Sequence, residues 1–217
     1  HIYLLSDIKE ENFPNESYKL FIFAAATDPD PEEKKAIEDK CKRGRKTLLW
    51  LHTSSCYDAQ LCGFSLTKEE YPMRYKADFR NTVYPQNPIP TLQFAKEEGY
   101  VLSRVMDSLK PVMLWKEQKE YNTVYALHLA LPAELLRHIA LLSGVHCYNR
   151  EGDCIYAGGE YLAIHAVQEG CRRICLPSTD FEIRDALTGE QLKTNDLFVE
   201  IRMKQYETRL LHVTKKI

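Results

Sequence analysis

The hydrophobic periodicity of this chain changes once, across Asn149-Arg150-Glu151-Gly152-Asp153, and the change limits the folds open to it. Ahead of that polar turn the apolar residues fall in continuous runs or at helical spacing. After it they alternate with polar ones. A continuous run suits a strand buried on both faces, whereas alternation suits a strand with one face in a core and the other in water. The switch predicts two cores, and 217 residues are enough for both. Residues 1–148 read as an α/β domain and residues 149–217 as an antiparallel β-domain.

In the first stretch, Ile2-Tyr3-Leu4-Leu5 reads as a strand running into a loop, and Tyr18 to Ala26 as a buried strand. Asp30 is placed to cap a helix that Pro31 begins, and Glu33 completes a capping-box spacing. Ala36, Ile37 and Cys41 form its buried stripe, and Gly44 can take the left-handed conformation that ends it. Lys46 to His52 is the next strand, so this β-α-β unit predicts a right-handed parallel crossover. Pro72, Pro85, Pro88 and Pro90 interrupt residues 53–99, which read as irregular excursions with one short strand. Tyr100 to Met106, Pro111 to Trp115 and Thr123 to His128 are predicted strands. A second helix starts at Pro132, places Leu135, Leu136, Ile139 and Leu142 on one face and stops at Gly144; Val145 to Tyr148 returns as a strand.

In the second stretch, a two-residue turn at Gly158-Gly159 predicts a hairpin with Ile155 opposite Leu162 and Tyr156 opposite Tyr161. Ile174 and Leu176 alternate with Arg173 and Cys175. Leu197, Val199, Ile201 and Met203 alternate with Phe198, Glu200, Arg202 and Lys204. Several short strands with one apolar face and no helix predict a small antiparallel sandwich or barrel.

Charge and cysteine usage narrow the function classes. With 29 basic and 31 acidic residues intermixed and a formal charge of −2, no basic stripe offers itself to a phosphate backbone, which argues against nucleic acid as a partner. No apolar run approaches the roughly 20 residues that cross a bilayer, and no signal-peptide layout opens the chain, so it reads as soluble and as no membrane partner. Starting at His1 rather than Met, it reads as cut or processed from something longer. The cysteines number seven, an odd count in a chain large enough to fold without staples, which favours free thiols. There is no Cys-x-x-Cys; Cys171 and Cys175 lie four apart, and His146-Cys147 stands by itself, so neither a metal nor a cofactor is expected.

The order of strand, Asp-Pro-capped helix, Gly44 to Leu51 and a late helix ending in Ser143-Gly144-Val145-His146-Cys147-Tyr148 resembles the trimerisation-type domain of bacterial beta-galactosidases. Asp153 to Ala166 and Asp185-Ala186-Leu187-Thr188-Gly189-Glu190 resemble the C-terminal β-domain that follows it. The resemblance implies an amidotransferase-like, flavodoxin-like fold with a mostly parallel sheet and helices, followed by a small antiparallel β-sandwich. It also implies a bacterial cytoplasmic or periplasmic glycoside hydrolase whose two catalytic glutamates lie in an upstream β/α barrel. No catalytic residue is carried over. This chain is then a scaffold, inactive by itself, whose partners are that catalytic barrel and further copies of itself in a homo-oligomer.

Three other readings test particular residues. A retaining glycosidase needs two carboxyl groups roughly 5 to 5.5 Å apart, but Glu69-Glu70 and Glu97-Glu98 read as solvated turns. An amidotransferase-like hydrolase would use Cys56 as nucleophile after the strand ending at His52, with His128, His138 or His146 as base. Thr53-Ser54-Ser55-Cys56-Tyr57-Asp58 lacks the glycines that a nucleophile elbow needs, which favours a loop thiol without catalytic duty. A carbohydrate-binding module would present Tyr148, Tyr156 and Tyr161 to sugar faces; His165 shares the face of the last two. Finally, Tyr71, Met73, Tyr75, Phe79, Tyr84 and Phe94 carry more aromatic area than a solvated excursion needs; they form an association surface or, on the alternative reading, pack back on their own domain.

Overall fold

The computed structural model describes residues 1–24, 28–51, 59–68, 75–79, 82–86, 92–127, 131–195 and 197–216. It divides into two compact units, the first comprising His1–Leu136 and Leu142–Val145, the second Arg137–Leu141 and His146–Ile217.

The first unit begins with 3₁₀ turns at Leu5–Lys9 and Asn15–Ser17. The strand expected over Ile2–Leu5 does not form. The Asp7 carboxylate accepts the Leu4 N–H at 2.8 Å and turns the chain instead. β1 (Leu20–Phe23), α1 (Pro31–Lys40) and β2 (Lys46–Leu51) follow, and β1 pairs with β2 in parallel, as the capped-helix pattern requires. Both halves of the capping box are present. Asp30 accepts the Glu33 N–H at 2.7 Å, and Glu33 accepts the Asp30 N–H at 2.9 Å. The same contact to Asp30 holds its carboxyl below the usual aspartate range, assisted by the Lys9 ammonium.

α2 (Ala59–Cys62), β3 (Leu66–Lys68), β4 (Tyr75–Phe79), β5 (Thr82–Gln86) and β6 (Leu92–Phe94) occupy the proline-interrupted stretch, which holds four strands rather than one. β5 accommodates Pro85 because it is the outermost strand of its sheet, where a missing N–H costs no ladder bond. β7 (Tyr100–Val105), β8 (Pro111–Glu117) and β9 (Tyr121–Ala126) complete a seven-stranded sheet of order β1-β2-β9-β8-β7-β4-β5. Only the β1–β2 and β2–β9 pairings are parallel; the other four are antiparallel. The expected mostly parallel sheet is therefore a mixed one. Continuous apolar runs report burial on both faces, which β8 shows with Val112 to Trp115 all buried, and do not report strand direction.

Close packing fixes one glycine. At Gly99 φ is +103°, and a Cβ there would lie 2.2 Å from the Trp115 carbonyl oxygen. No side chain is tolerated at that approach.

α3 (Ala133–Leu142) stops, as expected, before Gly144, whose φ is +71°. Its apolar stripe is narrower than the spacing predicts. Leu135 and Ile139 are fully buried, whereas Leu136 and Leu142 are exposed. Residues 145–148 make no strand; Tyr148 instead accepts a lone hydrogen bond from the Cys175 N–H at 2.7 Å.

The second unit pairs two antiparallel sheets over one core. β10 (Cys154–Gly158), β11 (Tyr161–His165), β12 (Gly170–Cys175), β13 (Phe181–Asp185), β14 (Thr194–Asn195), β15 (Phe198–Met203) and β16 (Thr208–Lys215) sort into sheets of order β10-β11-β16-β13 and β12-β15-β14. Leu162 and Ile164 of β11, Ile183 of β13 and Leu211 and Val213 of β16 meet Ile174 of β12 and Val199, Ile201 and Met203 of β15. Each set is every second residue of its strand, so alternation alone selects the core. Leu197 breaks the pattern: it lies half exposed.

The hairpin register differs from expectation by two residues. Ile155 faces Ile164, Tyr156 faces Ala163 and Gly158 faces Tyr161, so the turn is Gly159-Glu160. Gly159 has φ +57° at the first central position, where a type II′ turn takes glycine. A slip of two preserves the faces, so Leu162 still points inward and Tyr161 outward. At the edge of the hairpin, Asp153 and Arg172 form a buried ion pair with the Arg172 Nε 2.6 Å from the carboxylate. Asp153 also accepts the Val167 N–H at 3.0 Å, and Arg172 donates to the Cys171 and Gln168 carbonyls. Removing either partner would strand a buried charge at a cost of about 3–5 kcal/mol.

Leu162→Asp should therefore unfold this unit, because burying an unpaired carboxylate costs several kcal/mol against a total of about 5–15 kcal/mol. Tyr161→Ser, at a half-exposed position, should stay within about 0.5 kcal/mol of the parent in denaturant titrations. Equal tolerance of both would show that the face assignment is wrong.

Candidate functional site

Cys56, expected to be a loop thiol and the nucleophile only on the alternative hydrolase reading, lies outside the described residues, as do His128, Glu69 and Glu70. The other two candidate histidines are described. His138 lies within α3, and the His146 Nε2 is 3.1 Å from the Cys175 carbonyl oxygen. That contact ties the imidazole to the backbone of β12.

Several of the described carboxylates are paired with cationic side chains. Glu97 forms a two-pronged pair with Arg104 at 2.6 and 3.2 Å, and Glu98 pairs with Lys116 at 2.6 Å. Those partners hold both carboxyl groups below the usual glutamate range. In the second unit Asp185 and Glu207 flank one guanidinium, that of Arg209, at 3.4 and 2.7 Å. The Asp185 carboxyl is lowered first by the N–H groups of Thr188 and Leu187, each at 3.0 Å. The Glu207 carboxyl is lowered by the Lys204 N–H at 2.8 Å and then by Arg209. A glycosidase general acid needs the opposite shift, a carboxyl kept protonated at neutral pH. Asp30, Glu97, Glu98, Asp185 and Glu207 all move the other way.

The tyrosines divide. Tyr148 packs against the core of the second unit, with its ring edge-on to His146 at 4.6 Å, and presents no sugar platform. Tyr156 and Tyr161 point outward from the β10–β11 hairpin, each opposite a small residue rather than each other. Tyr161 lies against the His212 ring at 5.0 Å, and His165 stacks on Tyr206 at 6.3 Å while its Nδ1 meets the Thr208 hydroxyl at 2.9 Å.

Among the expected association aromatics, Tyr71 and Met73 and the side chains of Tyr75 and Tyr84 lie outside the described residues. Phe79 is buried. Phe94 packs edge-on against Phe64 and Tyr125 at 5.5 and 6.3 Å, within its own unit. Phe79 is spent on the core, and Phe94, half-buried, packs within its own unit.

A cleft of about 490 Å³ opens on the outward face of β12 and β15. The register sets Arg173 beside Glu200 and Cys175 beside Phe198. Arg173 reaches Glu200 at 2.9 Å and lies over the Phe198 ring at 4.3 Å; the carboxylate holds its guanidinium above the ordinary range. Arg150, Glu151 and His146 close one side, and half-exposed Leu197 lies on the wall. The outward alternation on the two strands was the available sequence signal for this site, but it reads equally as a solvated face until β12 and β15 are known to pair. A smaller cavity of about 230 Å³ is lined by Asp153, Arg172 and their neighbours. Among the described residues no group of three or more His, Cys, Asp or Glu could hold a metal ion, and no helix is long and apolar enough to cross a membrane.

No model of a known protein family matches the chain, and no curated protein does. Solved structures do. A catalytic mutant of Gan42B, a GH42 beta-galactosidase from G. stearothermophilus, aligns with 96% of this chain and 33% of its own at a TM-score of 0.57 and 15% identity. The polyextremophilic beta-galactosidase of the Antarctic haloarchaeon Halorubrum lacusprofundi aligns with 94% of this chain and 32% of its own, at 0.57 and 10%. The beta-galactosidase of the psychrophilic Marinomonas ef1 aligns with 95% and 30%, at 0.51 and 12%. At such identities the likeness is one of fold. The chain spans about a third of the length of these enzymes.

The Asp185 and Glu207 contacts give the second unit a defined acid response. A carboxyl lowered by folding contributes stability that is complete above its unfolded pKa of about 3.9 to 4.3 and is lost as pH falls toward the folded value. Unfolding titrations between neutral pH and pH 2 should show stability falling below about pH 4. Asp185→Asn should flatten part of that decline, and an unchanged pH profile would contradict the assignment.

Proposed function

We propose that this chain is a non-catalytic scaffold and assembly region of a beta-galactosidase-like glycoside hydrolase, working against a catalytic barrel supplied elsewhere in such an enzyme. The observation that carries this reading is the alignment of nearly the whole chain, through both units, with about a third of several GH42 beta-galactosidases. On this reading residues 1–148 are an amidotransferase-like domain of the trimerisation type. The parallel β1-α1-β2 unit extended by β9 supports it. Residues 149–217 are the β-domain that follows.

The charge arrangement supports a role without chemistry. The carboxylates best placed to be noticed, Glu97, Glu98, Asp185 and Glu207, are engaged with cations and backbone N–H groups that stabilise their ionised forms. We assign no catalytic duty to Cys56, whose sequence surroundings supply neither an elbow glycine nor an adjacent base. The partners that follow are the barrel and further copies of the chain.

Light scattering of the purified chain tests the assembly role. A mass that is a multiple of 25.2 kDa is expected, stable to dilution, as befits an interface above about 1,000 Å². A monomer at every concentration would remove self-association from the proposal.

A further inference from the structure

We propose that the cleft on the outer face of β12 and β15 is a binding site for a neutral, hydroxyl-rich ligand of monosaccharide or disaccharide size. Its volume, about 490 Å³, falls within the roughly 300–1,000 Å³ of small-molecule sites. Its lining carries Arg150 and Arg173 against Glu151 and Glu200, two cations to two carboxylates. Balanced charge leaves no field to gather a phosphate or an ammonium. Glu200 already partly neutralises the Arg173 guanidinium at 2.9 Å, and its carboxylate would repel an anion seated on the remaining N–H groups. A hydroxyl group faces no such conflict. It donates to a carboxylate and accepts from a guanidinium at once, so adjacent arginine and glutamate side chains match neighbouring hydroxyls on one ring.

The apolar part of the cleft fits the other side of a sugar. Leu197 occupies a position that alternation assigns to the core, with Val199 and Ile201, yet it is half exposed on the cleft wall. Phe198 lies beside it, one face of its ring covered by the Arg173 guanidinium at 4.3 Å from the centroid. Aliphatic and aromatic carbon next to paired charges is the combination that takes the C–H face and the hydroxyls of a pyranose together. The contacts of Arg173 with Glu200 and Phe198 set its guanidinium on the cleft, which reduces the side-chain ordering that binding must accomplish. The site is separate from the outward tyrosines of the hairpin and does not depend on the glycoside-hydrolase reading.

Two thiols on the cleft make the test direct. Cys171 and Cys175 line it, whereas exposed Cys154 sits on β10 in the other sheet and serves as an internal control. Alkylation of the native chain by N-ethylmaleimide, followed residue by residue by mass spectrometry, would be compared in buffer, galactose, lactose and inorganic phosphate. Galactose or lactose should slow Cys171 and Cys175 several-fold and leave Cys154 unchanged, and phosphate should slow none of them. Glu200→Gln and Arg150→Met, each confirmed folded by thermal melting, should lose the protection. Unprotected cleft thiols in both sugars, equal slowing of Cys154, protection by phosphate, or protection that survives in both folded variants would each overturn the site.

Discussion

The second unit depends on one constraint, the two-residue period of side chains along β11, β12, β15 and β16. Ile174, Val199, Ile201 and Met203 close one side of the three-stranded sheet against Leu162, Ile164, Leu211 and Val213 of the other. The same period sends Cys171, Arg173, Cys175, Phe198 and Glu200 to the opposite side, where they line the cleft. Core and cleft are two faces of one pattern. A slip of a single residue would exchange them, and the buried Asp153–Arg172 pair pins the start of β10 to β12 against that slip. The pair is better understood as a register device than as a source of net stability, since desolvation offsets much of its attraction.

In the first unit the corresponding element is the parallel seam of β1, β2 and β9. Leu48, Leu49 and Trp50 of β2 are all buried, as are Val124, Tyr125 and Ala126 of β9, so both faces of the seam are covered. Burial on this scale extends even to cations. Lys46, almost fully buried, keeps its ammonium on the Lys40 carbonyl at 3.1 Å and near Glu16 at 3.5 Å. From β9 outward the sheet continues antiparallel to the Pro85 strand, and Gly99 lets the backbone pass against Trp115. Cys41, buried behind α1, has its thiol pushed up to about 12 by desolvation, which makes it a packing residue without reactivity at neutral pH.

What was legible in the sequence was local or periodic. The Asp30-Pro31-Glu33 cap, the stop at Gly144, and the inward sets of β12 and β15 follow from single positions or fixed spacings, whereas α1 already ends at Lys40, capped by Cys41, ahead of the Gly44 expected to stop it. What was not legible depends on pairing. Two adjacent glycines both permit a turn, and the choice of Gly159-Glu160 over Gly158-Gly159 moved the hairpin register without moving its faces. Strand direction in the large sheet is settled by which strands meet, which a buried apolar run does not record. Pro85 read as a breaker because its cost vanishes only at an edge, and edges belong to the assembled sheet. The cleft needed β12 and β15 to be partners, and those strands are separated in the chain by β13, which belongs to the other sheet, and by β14.

On the proposed reading, this chain supports a glycoside hydrolase without performing its chemistry. Release of aglycone from aryl beta-galactosides, aryl glucosides and aryl arabinosides by the purified chain tests it most directly. Release is expected at the buffer rate across the pH range where the chain is folded. Turnover above that rate, abolished by neutralising one carboxylate of this chain or by Cys56→Ala, would contradict it.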